Sequence, residues 1–109
     1  MKDGLSIDEA GSKFWYLNGE QHREDGPAVE HTTGYKSWFL HGQRHRTDGP
    51  AVENVNGYKI WFLDNELHRE DGPAVEHVNG DKYWYLHGKE YPEEEFILKT
   101  SKFWQQVSS

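Results

Sequence analysis

The sequence predicts a mostly β protein: an antiparallel meander of about seven or eight short strands, built from 23-residue hairpin repeats and closed by a C-terminal capping α-helix. Three observations support this. Residues 22–31 recur letter for letter at 68–77, with a near-copy at 45–54. The pattern Gly-x-Lys-x-Trp keeps the same step, beginning at Gly11, Gly34, Gly57 and Gly80. The repeat stops near residue 91, where a helix-like segment follows.

The repeat predicts a single domain over residues 1–109. Its expected parts are a degenerate half-repeat at 1–10, full repeats at 11–33, 34–56 and 57–79, a last half-repeat at 80–91 and a capping helix at 92–107. We expect the half-repeat to pair with the first full unit, because it would cover an otherwise open sheet edge.

Each full unit contains two strand candidates. Aromatic and β-branched residues between turn formers predict the first strand at 13–17, 36–40, 59–63 and 82–86. The second is predicted at 28–31, 51–54 and 74–77. Pairs such as Asn18-Gly19 and Asn56-Gly57 supply the positive φ angles of tight hairpins. The Asp-Gly-Pro segments predict irregular connectors, because Pro lacks the N–H that a central strand would donate.

The last segment has the pattern of an amphipathic helix over roughly residues 92–107. Pro92 suits the first helical position, and three Glu residues after it complement the positive end of the helix dipole. The apolar face is expected to contain Phe96, Ile97, Thr100, Phe103, Trp104 and Val107.

Alternation along the aromatic strand places Trp and Leu on one face and a second aromatic ladder on the other. Curling of the sheet would bury the Trp ladder. The second ladder either packs under its own connectors or stays exposed as a protein-binding face or a seam between two copies of the chain. The predicted binding residues are Tyr16, Phe39, Phe62 and Tyr85, with Tyr35 and Tyr58.

Composition limits the classes of function. Aromatic residues make up 15% of a chain that is only 34% apolar, so stacked rings rather than aliphatic bulk should stabilise it. With no Cys, a zinc-thiolate site and a thiol nucleophile are excluded. The net charge of −7 argues against nucleic acid and anionic membranes as partners. Since no apolar run could span a membrane and no leader is recognised, we expect a cytoplasmic protein without a cofactor.

The His-Arg-x-Asp triplet is the motif most typical of a catalytic or metal-binding site. It occurs three times, as His22, Arg23 and Asp25; His45, Arg46 and Asp48; and His68, Arg69 and Asp71. A metal ladder or an acid/base array would use such residues. An active site is needed only once, so repetition in step with the fold favours a structural role, in which Asp accepts backbone N–H groups and His and Arg bond nearby carbonyls and carboxylates. We therefore predict no metal site, no catalytic residue and no enzymatic activity.

These motifs resemble MORN repeats, most closely the variant reading Trp-Tyr-x-Asn-Gly-x-x-His-Arg-x-Asp-Gly-Pro-Ala. That variant is similar to uncharacterised bacterial and phage proteins with a Gly-Lys and Glu-Glu-Glu-Phe tail, matched here by Gly88-Lys89 and residues 93–96. A looser similarity is to the YwqK-type antitoxins. The resemblance covers residues 11–96 and implies a curved β-hairpin array.

The expected function is a non-catalytic protein–protein interaction module. The resemblance implies a phage or bacterial inhibitor, similar to an antitoxin, that sequesters a partner protein. The alternative is a small-molecule binding protein that holds a nucleotide or sugar in an aromatic groove.

Overall fold

The computed structural model describes residues 3–101 and confirms the predicted fold class: short antiparallel strands in a meander, then one C-terminal helix. The strands are β1 (Gly4–Ile7), β2 (Lys13–Leu17), β3 (Glu20–Gln21), β4 (Val29–Glu30), β5 (Lys36–Ser37), β6 (Phe39–Leu40), β7 (Gln43–Arg44), β8 (Val52–Glu53), β9 (Lys59–Ile60), β10 (Phe62–Leu63), β11 (Glu66–Leu67), β12 (Val75–Glu76), β13 (Lys82–Leu86) and β14 (Lys89–Tyr91). The helix is α1 (Glu93–Thr100).

One long sheet runs the length of the molecule in the order β1-β2-β4-β5-β8-β9-β12-β13-β14, with β3 also paired to β2. Strand β1, from the predicted half-repeat, pairs with β2 over four residue positions. The nine strands in this order, at about 4.8 Å spacing, account for most of the molecule's long dimension, which is 56 Å. Each full unit therefore extends the array by two strand spacings.

The strand count exceeds the prediction of about seven or eight, because the described residues form fourteen short strands. The predicted aromatic strands at 36–40 and 59–63 are each interrupted at their Trp, whereas β2 and β13 run unbroken. Strand β1 pairs across Trp15, and β14 pairs with Trp84. No strand pairs directly across Trp38 or Trp61, since there the chain changes partners from the long sheet to its own hairpin.

The hairpin ends form a second stack beside the long sheet. In the middle units, β6 pairs with β7 and β10 with β11. Successive hairpins are joined by backbone hydrogen bonds, in which the Arg23, Arg46 and Arg69 N–H groups donate to the Phe39, Phe62 and Tyr85 carbonyls at 3.1, 3.1 and 3.2 Å. Their tips are tight turns with positive φ, as the Asn18-Gly19 pair predicts, with φ angles of 52° and 80°.

Two rows of side chains cross the long sheet. One row is apolar apart from the hydroxyls of Ser37 and Tyr83, in the register Phe14, Val29, Ser37, Val52, Ile60, Val75 and Tyr83. The other alternates in sign, in the register Lys13, Glu30, Lys36, Glu53, Lys59, Glu76 and Lys82. Opposite charges facing each other across strands stabilise the pairing, so this row helps fix the register of every hairpin.

The most buried apolar residues belong to the short Ala-Val strands and the helix: Ala28, Val29, Ala51, Val52, Ala74, Val75 and Phe96. This corrects the expectation that the Trp ladder is buried, because all four Trp residues in the repeats are only half-buried. The physical reason is that the indoles of the first three units are covered by Arg side chains rather than by an apolar layer, and that Trp38, Trp61 and Trp84 line open clefts.

The helix begins one residue after the predicted position, since Pro92 is its N-cap and Glu93 its first residue. It ends at Thr100, followed by Ser101 as C-cap, short of the predicted end at 107. Phe96 is 3% exposed and packs toward the sheet, whereas Ile97 remains 47% exposed. The predicted face residues Phe103, Trp104 and Val107 lie outside the described residues.

Candidate functional site

The sheet has two faces of different chemistry. The Arg–Trp face contains Trp15, Trp38, Trp61 and Trp84 with the His-Arg-x-Asp-Gly-Pro loops above them. In the first three units an Arg guanidinium lies flat over the indole, with its carbon 3.9, 3.8 and 3.8 Å from the ring centroid, in the pairs Arg23–Trp15, Arg46–Trp38 and Arg69–Trp61. A cation over an indole face is attracted by the ring quadrupole, so each unit contributes one such layer.

Each guanidinium also holds its loop closed through several hydrogen bonds. In the third unit, Arg69 Nε donates to Asp71 at 2.8 Å, and its Nη1 donates to the Pro73 carbonyl at 3.1 Å and to Glu76 at 2.9 Å. The other two units repeat the bonds to Asp and to the Pro carbonyl. Each loop Asp thus accepts a hydrogen bond from an Arg side chain, a role that was not expected for it. The hydrogen bond from Arg46, together with its charge, holds the pKa of Asp48 below its ordinary value.

The glycine of each loop lies against the other side of the guanidinium. A Cβ placed on Gly26, Gly49 or Gly72 would lie 2.9, 2.8 or 2.7 Å from the central carbon of the loop's own Arg. The guanidinium is therefore enclosed between an indole ring and a glycine backbone. Any larger residue at these positions has to push the Arg off its ring.

The three motif histidines accept hydrogen bonds from the next unit. The Nδ1 atoms of His22, His45 and His68 accept the backbone N–H groups of His41, Asp64 and His87 at 2.9, 3.0 and 2.9 Å. His22 and His68 are buried, and their rings contact those of His41 and His87 at centroid distances of 4.4 and 4.2 Å. Within residues 3–101, no group of three His, Asp or Glu residues is placed to hold a metal ion.

Three clefts follow one another along the Arg–Trp face. The first, of about 590 Å³, lies between the loops of the first two units, over Trp38 and Leu40. The second, of about 580 Å³, lies between the second and third loops, over Trp61 and Leu63. The third, of about 490 Å³, lies over Trp84 between the third loop and the helix. In the last unit the helix thus stands where a fourth loop would be, and Phe96 lines the cleft beside Trp84.

The opposite surface is the Tyr–Phe face. Its hairpin side contains the ring ladder, defined by Tyr16, Phe39, Phe62 and Tyr85, whose members are all half-buried. Arg44 lies between the two middle rings, with its guanidinium carbon 5.5 Å from the centroids of both Phe39 and Phe62. Burial raises the pKa of the Tyr85 hydroxyl above its ordinary value, and the charge of Glu90 adds to this.

The two other predicted binding residues lie in a separate group at the turn end of the strands. The Tyr35 ring lies 5.3 Å from the His31 ring, which also contacts Phe14 edge-on at 5.6 Å. Tyr58 instead stacks on His77, which follows it in the chain, at a centroid distance of 5.0 Å. The structure therefore brings four of the six predicted residues into one ladder and leaves Tyr35 and Tyr58 at the far side of the apolar row. No groove joins the two groups among the three clefts above, which all lie on the Arg–Trp face.

Sequence reasoning missed two features of these faces. Arg44 is not among the predicted binding residues, although its position opposite Phe39 places its side chain beside the ring ladder. The sequence indicated carboxylate partners for the motif Arg residues without identifying them, although Glu30, Glu53 and Glu76 recur at the repeat step. Their spacing was a usable signal, because each lies seven residues after its Arg.

Comparison of this chain with protein-family models, curated proteins and solved structures gives no match. The resemblance to MORN repeats and to YwqK-type antitoxins therefore stays a prediction. In the described part of the chain, the helix is too short and too polar to cross a membrane.

Proposed function

We propose that this protein is a non-catalytic interaction module that binds a partner protein through the ring ladder of the Tyr–Phe face. The observation that supports this most is the in-register placement of Tyr16, Phe39, Phe62 and Tyr85 with Arg44 between the middle two rings. Aromatic residues and Arg are the residue types most enriched in energetically important contacts between proteins, because they bury large areas at low entropic cost.

The arrangement of polar groups also supports binding on this face rather than chemistry on the other. On the Arg–Trp face, the guanidiniums and the motif histidines are engaged in holding the loops and joining the units. On the Tyr–Phe face, the rings stay partly exposed in every unit. Within this class, the resemblance to antitoxins favours a stoichiometric inhibitor, phage-encoded or bacterial, that sequesters its partner without turnover.

The test is site-specific photo-crosslinking in cells that express the protein. A photoreactive phenylalanine analogue at Phe62 is expected to give a discrete protein adduct, whereas the same analogue at Ile7 is not. Ile7 is the matched control, because it is exposed but lies on the opposite face of the sheet. Its neighbour Ser6 is the residue that pairs with Phe14 and shares the Tyr–Phe face.

A charge reversal tests the role of the ladder without removing a ring. We expect Arg44→Glu to lower the adduct yield from position 62 at least about fivefold, because a carboxylate would replace the guanidinium between two rings. Equal yields at positions 62 and 7, or a yield unaffected by Arg44→Glu, would contradict the proposal.

A further inference from the structure

The Arg–Trp face carries a second candidate surface that the ring ladder does not explain. Its three clefts are equivalent in the repeat: each has a Trp as its apolar base, joined by a Leu in the first two, and a loop on one side. The far wall is the next loop in the first two clefts and the helix in the third. Together they form a row of similar half-apolar hollows along the array.

The loops that border these clefts carry exposed carboxylates, and their Arg cations are already bonded; Lys82 is a further cation in the wall of the third cleft. The Arg side chains are 21–25% exposed and each donates to a carboxylate and a backbone carbonyl, whereas the loop carboxylates are 73–89% exposed. Glu24, Glu70 and Glu93 occupy the same position in their units, and Thr47 is the one exception at that step. A ligand entering the row therefore meets carboxylates first, which favours cationic groups on a chain of net charge −7.

The spacing of the clefts further defines the ligand. Each unit adds two strands to the long sheet, so neighbouring clefts are about 10 Å apart at about 4.8 Å per strand. In a β-strand, which rises about 3.3 Å per residue, every third side chain advances by about 10 Å, but successive members of that series point to opposite faces. A polyproline II segment has three residues per turn and rises about 3.1 Å per residue, so every third side chain lies on one face, about 9 Å from the last.

We propose that the row of clefts is a docking track for a segment of a partner protein in the polyproline II conformation, with Lys or Arg at every third residue. The alkyl part of each cationic side chain packs on the Trp and Leu of one cleft, and its charged end reaches the rim carboxylates. The track lies opposite the ring ladder, so either surface can bind while the other does not.

The test uses isothermal titration of the full chain with two synthetic peptides of equal composition. One has three Lys residues separated by Gly-Ser pairs, and the other has the three Lys residues in succession. We expect the spaced peptide to bind about tenfold tighter in low salt, because only it can occupy three clefts at once. Equal affinities, or no binding of the spaced peptide, would overturn the proposal.

Single-charge variants separate the track from general attraction to an acidic chain. We expect Glu70→Gln to weaken binding of the spaced peptide about two- to fivefold, and Thr47→Glu to strengthen it by a similar factor. Glu9→Gln is the control, since it removes the same charge at an exposed turn that lines none of the three clefts. If Glu9→Gln weakens binding of the spaced peptide as much as Glu70→Gln does, the proposed track is overturned. Thermal melts would verify that each variant is folded.

Discussion

The two faces of the sheet use similar residue types for different ends. On the Arg–Trp face, each cation is enclosed between an indole and a glycine and bonded to a carboxylate and a carbonyl. On the Tyr–Phe face, Arg44 is the only cation within reach of the described Phe rings and lies 5.5 Å from each of two. An Arg beside an aromatic ring therefore has a structural role where its own loop accepts its hydrogen bonds, as on the Arg–Trp face. Where the loop does not, as for Arg44, the guanidinium is available to a binding partner.

The fourth unit supports the structural interpretation of the loops. It has no His-Arg-x-Asp segment, and its Trp84 lies beside Phe96 of the helix instead of under a guanidinium. Because the array closes without the motif, what each unit requires is a cover for its indole. The Arg loop and the apolar helix are two ways to provide that cover.

The largest expected effect is the loss of a guanidinium from the Arg–Trp face. Arg69→Ala removes the stack on Trp61 and the bonds to Asp71, Glu76 and the Pro73 carbonyl, so we expect the free energy of unfolding to fall by about 2–4 kcal/mol. The matched variant Arg44→Ala should cost less than about 1 kcal/mol. Chemical denaturation monitored by Trp fluorescence measures both. Equal losses for the two variants would remove the distinction between the faces.

The next effect concerns the glycine behind the guanidinium. Gly72→Ala is expected to cost about 1–3 kcal/mol, because the added Cβ displaces Arg69 from its ring. The strain depends on that side chain, so the same substitution in an Arg69→Ala background should cost much less. A double-mutant cycle measures this coupling. If the two losses simply add, the glycine is required for another reason.

Substitution of two buried serines by alanine should change the stability of the protein in opposite directions. The Ser37 hydroxyl is buried and has no hydrogen-bond partner among residues 3–101, so Ser37→Ala should stabilise the protein by up to about 1 kcal/mol. The Ser12 hydroxyl accepts the Thr32 N–H at 3.2 Å and contacts His31, so Ser12→Ala should destabilise it by about 1 kcal/mol. Thermal unfolding of both variants measures the difference, and destabilisation by Ser37→Ala would show that its hydroxyl is satisfied.

The smallest expected effect is a pH dependence at Asp48. Arg46 lowers the pKa of this carboxyl in the folded protein, so its ionised form contributes stability above the ordinary value of 3.8, and that contribution is lost as pH falls through the lower folded value. The stability difference between wild type and Asp48→Asn should therefore be present at neutral pH and vanish in acid. A difference that persists in strong acid would mean that packing, not charge, is responsible.

The repeat period made the architecture predictable from the sequence. The burial of side chains and the grouping of the rings were not predictable, because they depend on contacts between residues far apart in the chain. The turn pairs and the Trp-Leu alternation follow from local backbone geometry, so they could be derived from residues such as Asn18 and Gly19. The burial of the Trp residues could not be derived in this way. It depends on Arg residues that lie eight positions further along the chain and fold back over the indoles. The division of the six predicted ring residues into two groups depends on the width of the sheet between them.

The measurement that tests the division between the faces most directly is the adduct yield from position 62, per folded molecule, in the Arg44→Ala and Arg69→Ala backgrounds. If the faces are divided in this way, Arg44→Ala keeps its fold and loses the adduct, whereas Arg69→Ala loses stability and keeps the adduct in its folded fraction. The reverse result, with binding lost through Arg69 and retained without Arg44, would contradict it.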